Sequence, residues 1–73
     1  MAFGEVLKSL REERGVTQDK LAQYLHVNRA TIAGYEVEGK EPRYETLIKL
    51  ADYFDVSIDY LVIGEENRLG IQK

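Results

Sequence analysis

The side chains that carry covalent or metal chemistry are nearly absent from this sequence. It has no cysteine and one histidine, His26. Disulfides, thiolate metal sites and cysteine nucleophiles are therefore excluded, and a lone histidine cannot build a zinc cluster. No phosphate-cradling glycine loop or nucleophile triad is present, and Glu36 has no second carboxylate beside it with a motif-defined role. An enzyme is not expected, and neither is a cofactor, a metal or a small-molecule substrate. The tyrosines (Tyr24, Tyr35, Tyr44, Tyr53, Tyr60) are of the type that stacks on single-stranded bases. Their helical spacing points instead to packing for Tyr35 and Tyr60 and to partial exposure for the rest. What remains is hydrogen bonding and charge, with the informative segment running from Thr17 to Glu36.

Those groups must be positioned by a small scaffold. Seventy-three residues make one domain. A domain of that size buries only about 60% of its unfolded surface. A composition of 44% hydrophobic and 32% charged residues is that of a soluble globular chain. The longest apolar run is Tyr60-Leu61-Val62-Ile63. It falls far short of the roughly 20 residues that span a bilayer. Met1–Glu5 lacks the features of a signal peptide. A cytosolic protein with no membrane partner is expected. The net charge of −3 lies entirely in residues 50–73, where Asp52, Asp55, Asp59, Glu65 and Glu66 face only Arg68 and Lys73. The preceding stretches balance, so a locally basic face remains available there.

Helical periodicity dominates. Phe3, Leu7 and Leu10 recur at i, i+4, i+7, and Gly15 follows as a C-terminal glycine. Thr17 reads as the N-cap of a short second helix with Leu21, Ala22 and Leu25 inward. Asn28 caps a third helix with Ile32 and Tyr35 facing in. Leu47, Leu50, Ala51 and Phe54 mark a fourth, and Ser57 caps a fifth, Ile58 to about Ile63, closed by Gly64. The spacing predicts an all-α domain of five short helices over residues 1–64, followed by a polar tail, 65–73, which is expected to fray.

Between Thr17 and Glu36, two short capped helices are separated by about three residues, His26-Val27-Asn28, with small Ala22 where they cross. A short turn fixes the interhelical angle. This is a helix-turn-helix arrangement, whose second helix projects and fits a major groove about 12 Å wide.

Further stretches sharpen the reading. They are Leu10-Arg11-Glu12-Glu13-Arg14-Gly15, Thr17-Gln18 with Leu21-Ala22, Val27-Asn28 with Thr31-Ile32, and Tyr35-Glu36. Pro42, Glu45-Thr46-Leu47, Leu50-Ala51 and Phe54 to Leu61 complete the set. In this order and spacing, over about residues 3–64, the sequence resembles the lambda-repressor-like (Xre-type) helix-turn-helix regulators. The resemblance implies a five-helix domain, binding to double-stranded DNA through helix 3, and repression by a homodimer on a pseudo-palindromic operator.

It also implies roles for single residues. Gln18 matches a glutamine at the start of helix 2, where free N–H groups attract a phosphate. Arg29, Ala30, Thr31 and Gly34 match exposed positions of the recognition helix. Arg29 would bridge guanine O6 and N7, and Thr31 would touch a thymine methyl or a base edge. Asn28 would cap helix 3 and reach the DNA backbone, and Lys40 would contact a phosphate. Arg43 matches a position from which an arginine enters a narrow minor groove. Arg11 and Glu36 match a pair joined as a partly buried salt bridge. Three departures stand out. His26 replaces the usual glycine at a turn position of positive φ. Gly34 is an unusual residue inside a helix, where it would either permit close approach to DNA or mark a place without contact. Gly39 lies one residue later than the family's usual loop glycine, after Val37-Glu38, which leaves the aim of Lys40 open.

Ile58, Leu61, Val62 and Ile63 offer more apolar surface than so short a helix can bury, and are expected to form a dimer seam. Two copies would set their recognition helices one duplex turn apart, roughly 34 Å. A built-in small-molecule sensor is not expected, and regulation is expected through a protein partner, concentration or proteolysis. The rival reading is an antitoxin or adaptor that uses the same fold mainly to bind protein, with the acidic C-terminal third docking the partner. The apolar set Val62, Ile63, Leu69 and Ile71 discriminates the two: self-association through it supports the regulator, and a monomer that binds another protein supports the rival.

Overall fold

A computed structural model describes residues 3–64. The elements are α1 (Phe3–Glu13), α2 (Gln18–Leu25), α3 (Arg29–Val37), α4 (Tyr44–Phe54) and α5 (Ile58–Ile63), and no strand occurs among the described residues. The expected all-α architecture is observed. None of these helices is long and apolar enough to cross a membrane. The tail 65–73 lies outside the described residues.

Three of the four connections share one design. Each preceding helix ends in a left-handed residue, continues through a valine, and reaches a polar residue that caps the next helix. The left-handed residues are Gly15 (φ +66°), His26 (φ +61°) and Asp55 (φ +58°). The following Val16, Val27 and Val56 donate their N–H to Arg11 O, Ala22 O and Ala51 O at 2.8–3.0 Å. That pairing satisfies carbonyls a helix end leaves open. Thr17, Asn28 and Ser57 come next, and each accepts the N–H three residues on, from Lys20, Thr31 and Tyr60. Helix stop and helix start are thus compressed into three residues. The positive φ expected at His26 is present. Asp55 adopts the same conformation, which a short polar side chain tolerates.

Phe3, Leu7 and Leu10 from α1 meet Leu21, Ala22 and Leu25 from α2, Ile32 from α3, Leu50 and Phe54 from α4, and Leu61 from α5 in one core. Helix α1 packs on α3 and α5, α2 on α3, and α4 on α5. Gly4 permits the α1–α3 approach: a Cβ there would lie 2.5 Å from the Tyr35 carbonyl oxygen. Leu61, expected at a dimer seam, is fully buried in this core. It lies on the inward side of a one-and-a-half-turn helix that packs on α1 and α4, so it is not available to a partner.

Candidate nucleic-acid interface

The site is built on the salt bridge expected between Arg11 and Glu36. Arg11 Nε donates to Glu36 Oε2 at 2.7 Å and Nη2 to Oε1 at 3.1 Å. The grip is bidentate, the strongest arrangement open to this pair. Arg11 Nη1 also donates to the Val16 carbonyl at 2.9 Å. The Glu36 side chain is only 1% exposed. The hydrogen bond from Glu36 raises the Arg11 pKa above its ordinary value, outweighing the opposing effect of burial. The charge is therefore retained throughout the neutral range.

From this anchor a relay runs to the surface. Gln18, the first residue of α2, donates through Nε2 to Glu36 Oε1 at 3.0 Å. Its Oε1 accepts from Arg29 Nη1 at 3.2 Å. Arg29, the first residue of α3, is exposed, and its Nε lies 3.8 Å from Asp19 Oδ1. The first residues of the two helices are thus joined side chain to side chain, and the outermost member is a cation facing solvent.

Beside it, Asn28 Oδ1 accepts from both the N–H and the hydroxyl of Thr31, each at 3.1 Å. The Thr31 hydroxyl proton is thereby occupied, which leaves its methyl group and oxygen lone pairs for other contacts. Ala30 is exposed and Thr31 half-buried. Gln18, Asn28, Arg29, Ala30 and Thr31 therefore gather at the adjoining starts of α2 and α3.

Gly34 is different. The resemblance puts it on the exposed flank of helix 3, but it is buried. The stem of Lys40 covers it, with Cδ 3.1 Å from where a Cβ would stand. Its carbonyl accepts the N–H of Glu38 at 3.0 Å and of Lys40 at 3.3 Å. The glycine serves the fold-back of the following loop and does not expose backbone. Lys40 keeps its ammonium exposed, 3.4 Å from Glu38. Arg43 is the N-cap residue of α4, yet its side chain makes no capping hydrogen bond and is exposed.

A second surface lies between α4 and α5. An apolar groove there is lined by Tyr44, Leu47, Ile48, Ile58, Val62 and Ile63, with Arg43 and Asp59 among its polar walls. Ile58 and Ile63 are exposed and Val62 half-buried, as a seam requires. The contribution from α4 escapes the sequence reading. Tyr44 is 84% and Ile48 56% exposed. Their i, i+4 spacing beside the inward Leu47 and Leu50 is the signal that could have found them. Asp19, the acidic neighbour of Arg29, escapes it as well.

Comparison with known proteins agrees with this architecture. Residues 7–61 match the profile of the helix-turn-helix family HTH_3. The uncharacterized HTH-type transcriptional regulator YqaE of Bacillus subtilis (strain 168) is 42% identical over 65 residues, 89% of this chain and 56% of that protein. The HTH-type transcriptional activator BcrR of Enterococcus faecalis is 39% identical over 66 residues, 90% of this chain and 32% of that protein. This chain thus spans about half or less of the length of these relatives. Among solved structures, the P22 c2 repressor in complex with a synthetic operator superposes with a TM-score of 0.80 at 28% identity, covering 86% of this chain and 96% of that one. The chain belongs to the lambda-repressor-like (Xre-type) family of DNA-binding helix-turn-helix transcriptional regulators.

Proposed function

We propose that this chain acts in the cytosol as a homodimeric repressor that reads a pseudo-palindromic DNA operator, with α3 in the major groove. The observation that carries the reading is the paired start of α2 and α3. Two capped helix N-termini lie side by side, and Arg29 is held above them by Gln18 at 3.2 Å, open to solvent. Free N–H groups at helix starts attract phosphate, and an arginine there matches the paired acceptors of guanine. In this reading Arg29, Ala30 and Thr31 face base edges. Gln18, Asn28 and Lys40 hold the DNA backbone, and Arg43 enters the flanking minor groove. Gly34, being buried, has no part in the contact.

The α4–α5 groove is proposed as the seam between two copies. Ile58, Val62 and Ile63 would line it from α5, and Tyr44 and Ile48 would extend it onto α4. Repression follows from occupying a promoter. The P22 c2 repressor, seen on its operator, supports repression, whereas the activator BcrR shares the sequence pattern.

Selection of bound duplexes from a random pool, with the affinity of the winner followed against salt, tests the proposal. The expected result is a two-fold site with half-sites about 10 base pairs apart and an affinity that falls steeply with salt. Absence of enrichment, with weak binding even at low salt, would overturn it in favour of the adaptor reading, in which the groove receives another protein.

A further inference from the structure

Arg29 lies between two unequal partners. Gln18 is neutral, and its far end is fixed by a 3.0 Å bond to Glu36, which Arg11 locks in turn. Asp19 carries a full negative charge, and its side chain is 75% exposed. One neighbour orients the guanidinium, and the other offsets its charge at the point where DNA would arrive.

We infer that Asp19 is a specificity-determining residue: its carboxylate competes with DNA phosphates for Arg29, so that Arg29 adds to binding mainly where a base edge presents paired acceptors. The inference rests on the reading that α3 faces DNA. Binding to indifferent sequence draws almost wholly on phosphate neutralisation. An arginine already facing a carboxylate contributes little to it, and the carboxylate itself repels phosphate. An ion pair this exposed is weak, worth a few-fold in equilibrium terms, so a well-placed bidentate contact to guanine displaces it. Asp19 therefore penalises the indifferent contact more than the matched one. The competing structural role is that of an acid in the first turn of α2, favoured by the helix dipole.

The test is a double-mutant cycle of Asp19→Asn and Arg29→Gln, measured on the selected duplex and on a random duplex of equal length across a salt series. With Arg29 intact, Asp19→Asn is expected to tighten random-duplex binding roughly two- to fivefold. The magnitude of its salt slope should grow by about one. Affinity for the selected site should change less, so discrimination falls. In the Arg29→Gln background the gain should shrink to the small part that comes from the carboxylate's own repulsion of phosphate. An equal gain on both duplexes with Arg29 intact, no gain at all, or a gain undiminished without Arg29 would overturn the inference. A lowered melting temperature with unchanged binding would also overturn it, assigning Asp19 to the helix end alone. If the wild-type chain fails to discriminate the two duplexes, the DNA-reading proposal itself falls. If it discriminates and Asp19→Asn changes nothing, only the present inference does.

Discussion

Lys40 lays its aliphatic stem over Gly34, filling the space a side chain at that position would occupy. A Cβ on Gly34 would meet Lys40 Cδ at 3.1 Å, whereas one on Gly4 would meet the Tyr35 carbonyl oxygen at 2.5 Å and the Glu36 carbonyl oxygen at 2.9 Å. Two glycines in neighbouring helices thus face obstacles of opposite kind, one a flexible and exposed side chain, the other fixed backbone.

The two should respond to alanine with opposite signs. At Gly34 the lysine can move by a few tenths of an ångström, so Gly34→Ala should gain most of the helix-propensity difference, up to about 1 kcal/mol. At Gly4 the helices must separate, and Gly4→Ala should cost roughly 1–3 kcal/mol despite the same propensity gain. Urea unfolding of both variants decides this. A marked loss of stability at Gly34 would show that Lys40 cannot yield.

Glu36 is the acceptor on which both Arg11 and Gln18 depend. Glu36→Ala leaves a guanidinium with only 12% exposure and without its paired carboxylate. Stranding a charge in this way should cost about 3–5 kcal/mol. Replacing both members, Arg11→Met with Glu36→Leu, should recover much of that loss, because no charge is then left unpaired. Denaturant midpoints of the two variants compare the outcomes directly, and equal losses would contradict this account.

Leu61 and Ile63 are near neighbours in sequence with separate expected effects. Leu61 is fully buried. Leu61→Ala opens the core and should cost roughly 2–5 kcal/mol. Ile63 is 38% exposed. Ile63→Glu should therefore leave the fold stable while shifting sedimentation toward the monomer and weakening operator binding. A monomeric wild type, or a dimer unaffected by Ile63→Glu and Ile48→Glu together, would rule out the α4–α5 seam.

Arg29 and Lys40 should differ in what their loss does to sequence preference. Arg29→Ala is expected to cost about 1–3 kcal/mol on the selected site and to relax preference at one base pair. Lys40→Ala should weaken all duplexes alike and reduce the salt slope by about one. Equal losses on specific and random DNA for Arg29→Ala would refute a base-reading role.

Much of this architecture was legible in the sequence because it depends on near neighbours. Thr17, Asn28 and Ser57 cap helices by bonds to the third residue on, and Gly15, His26 and Gly64 end helices through their own φ. Apolar spacing located the core stripes of α1, α2 and α4, since helical periodicity alone decides which side chains share a face. The ion pair between Arg11 and Glu36 was not local. Resemblance to the family supplied it, and the two side chains, 25 residues apart in sequence, meet at 2.7 Å.

Tertiary packing decided the rest. Whether an apolar residue of α5 faces core or solvent depends on how the helix docks on α1 and α4, and so Leu61 is core while Ile58 and Ile63 are surface. Gly34 gave no local sign of burial, because its cover comes from Lys40 on the loop that folds back. The contact of Gln18 with both Glu36 and Arg29 exists only once α2 is docked on α3. Caps and periodicity arise within a few residues of chain. Burial and the aim of a polar side chain are set by whatever the fold brings alongside.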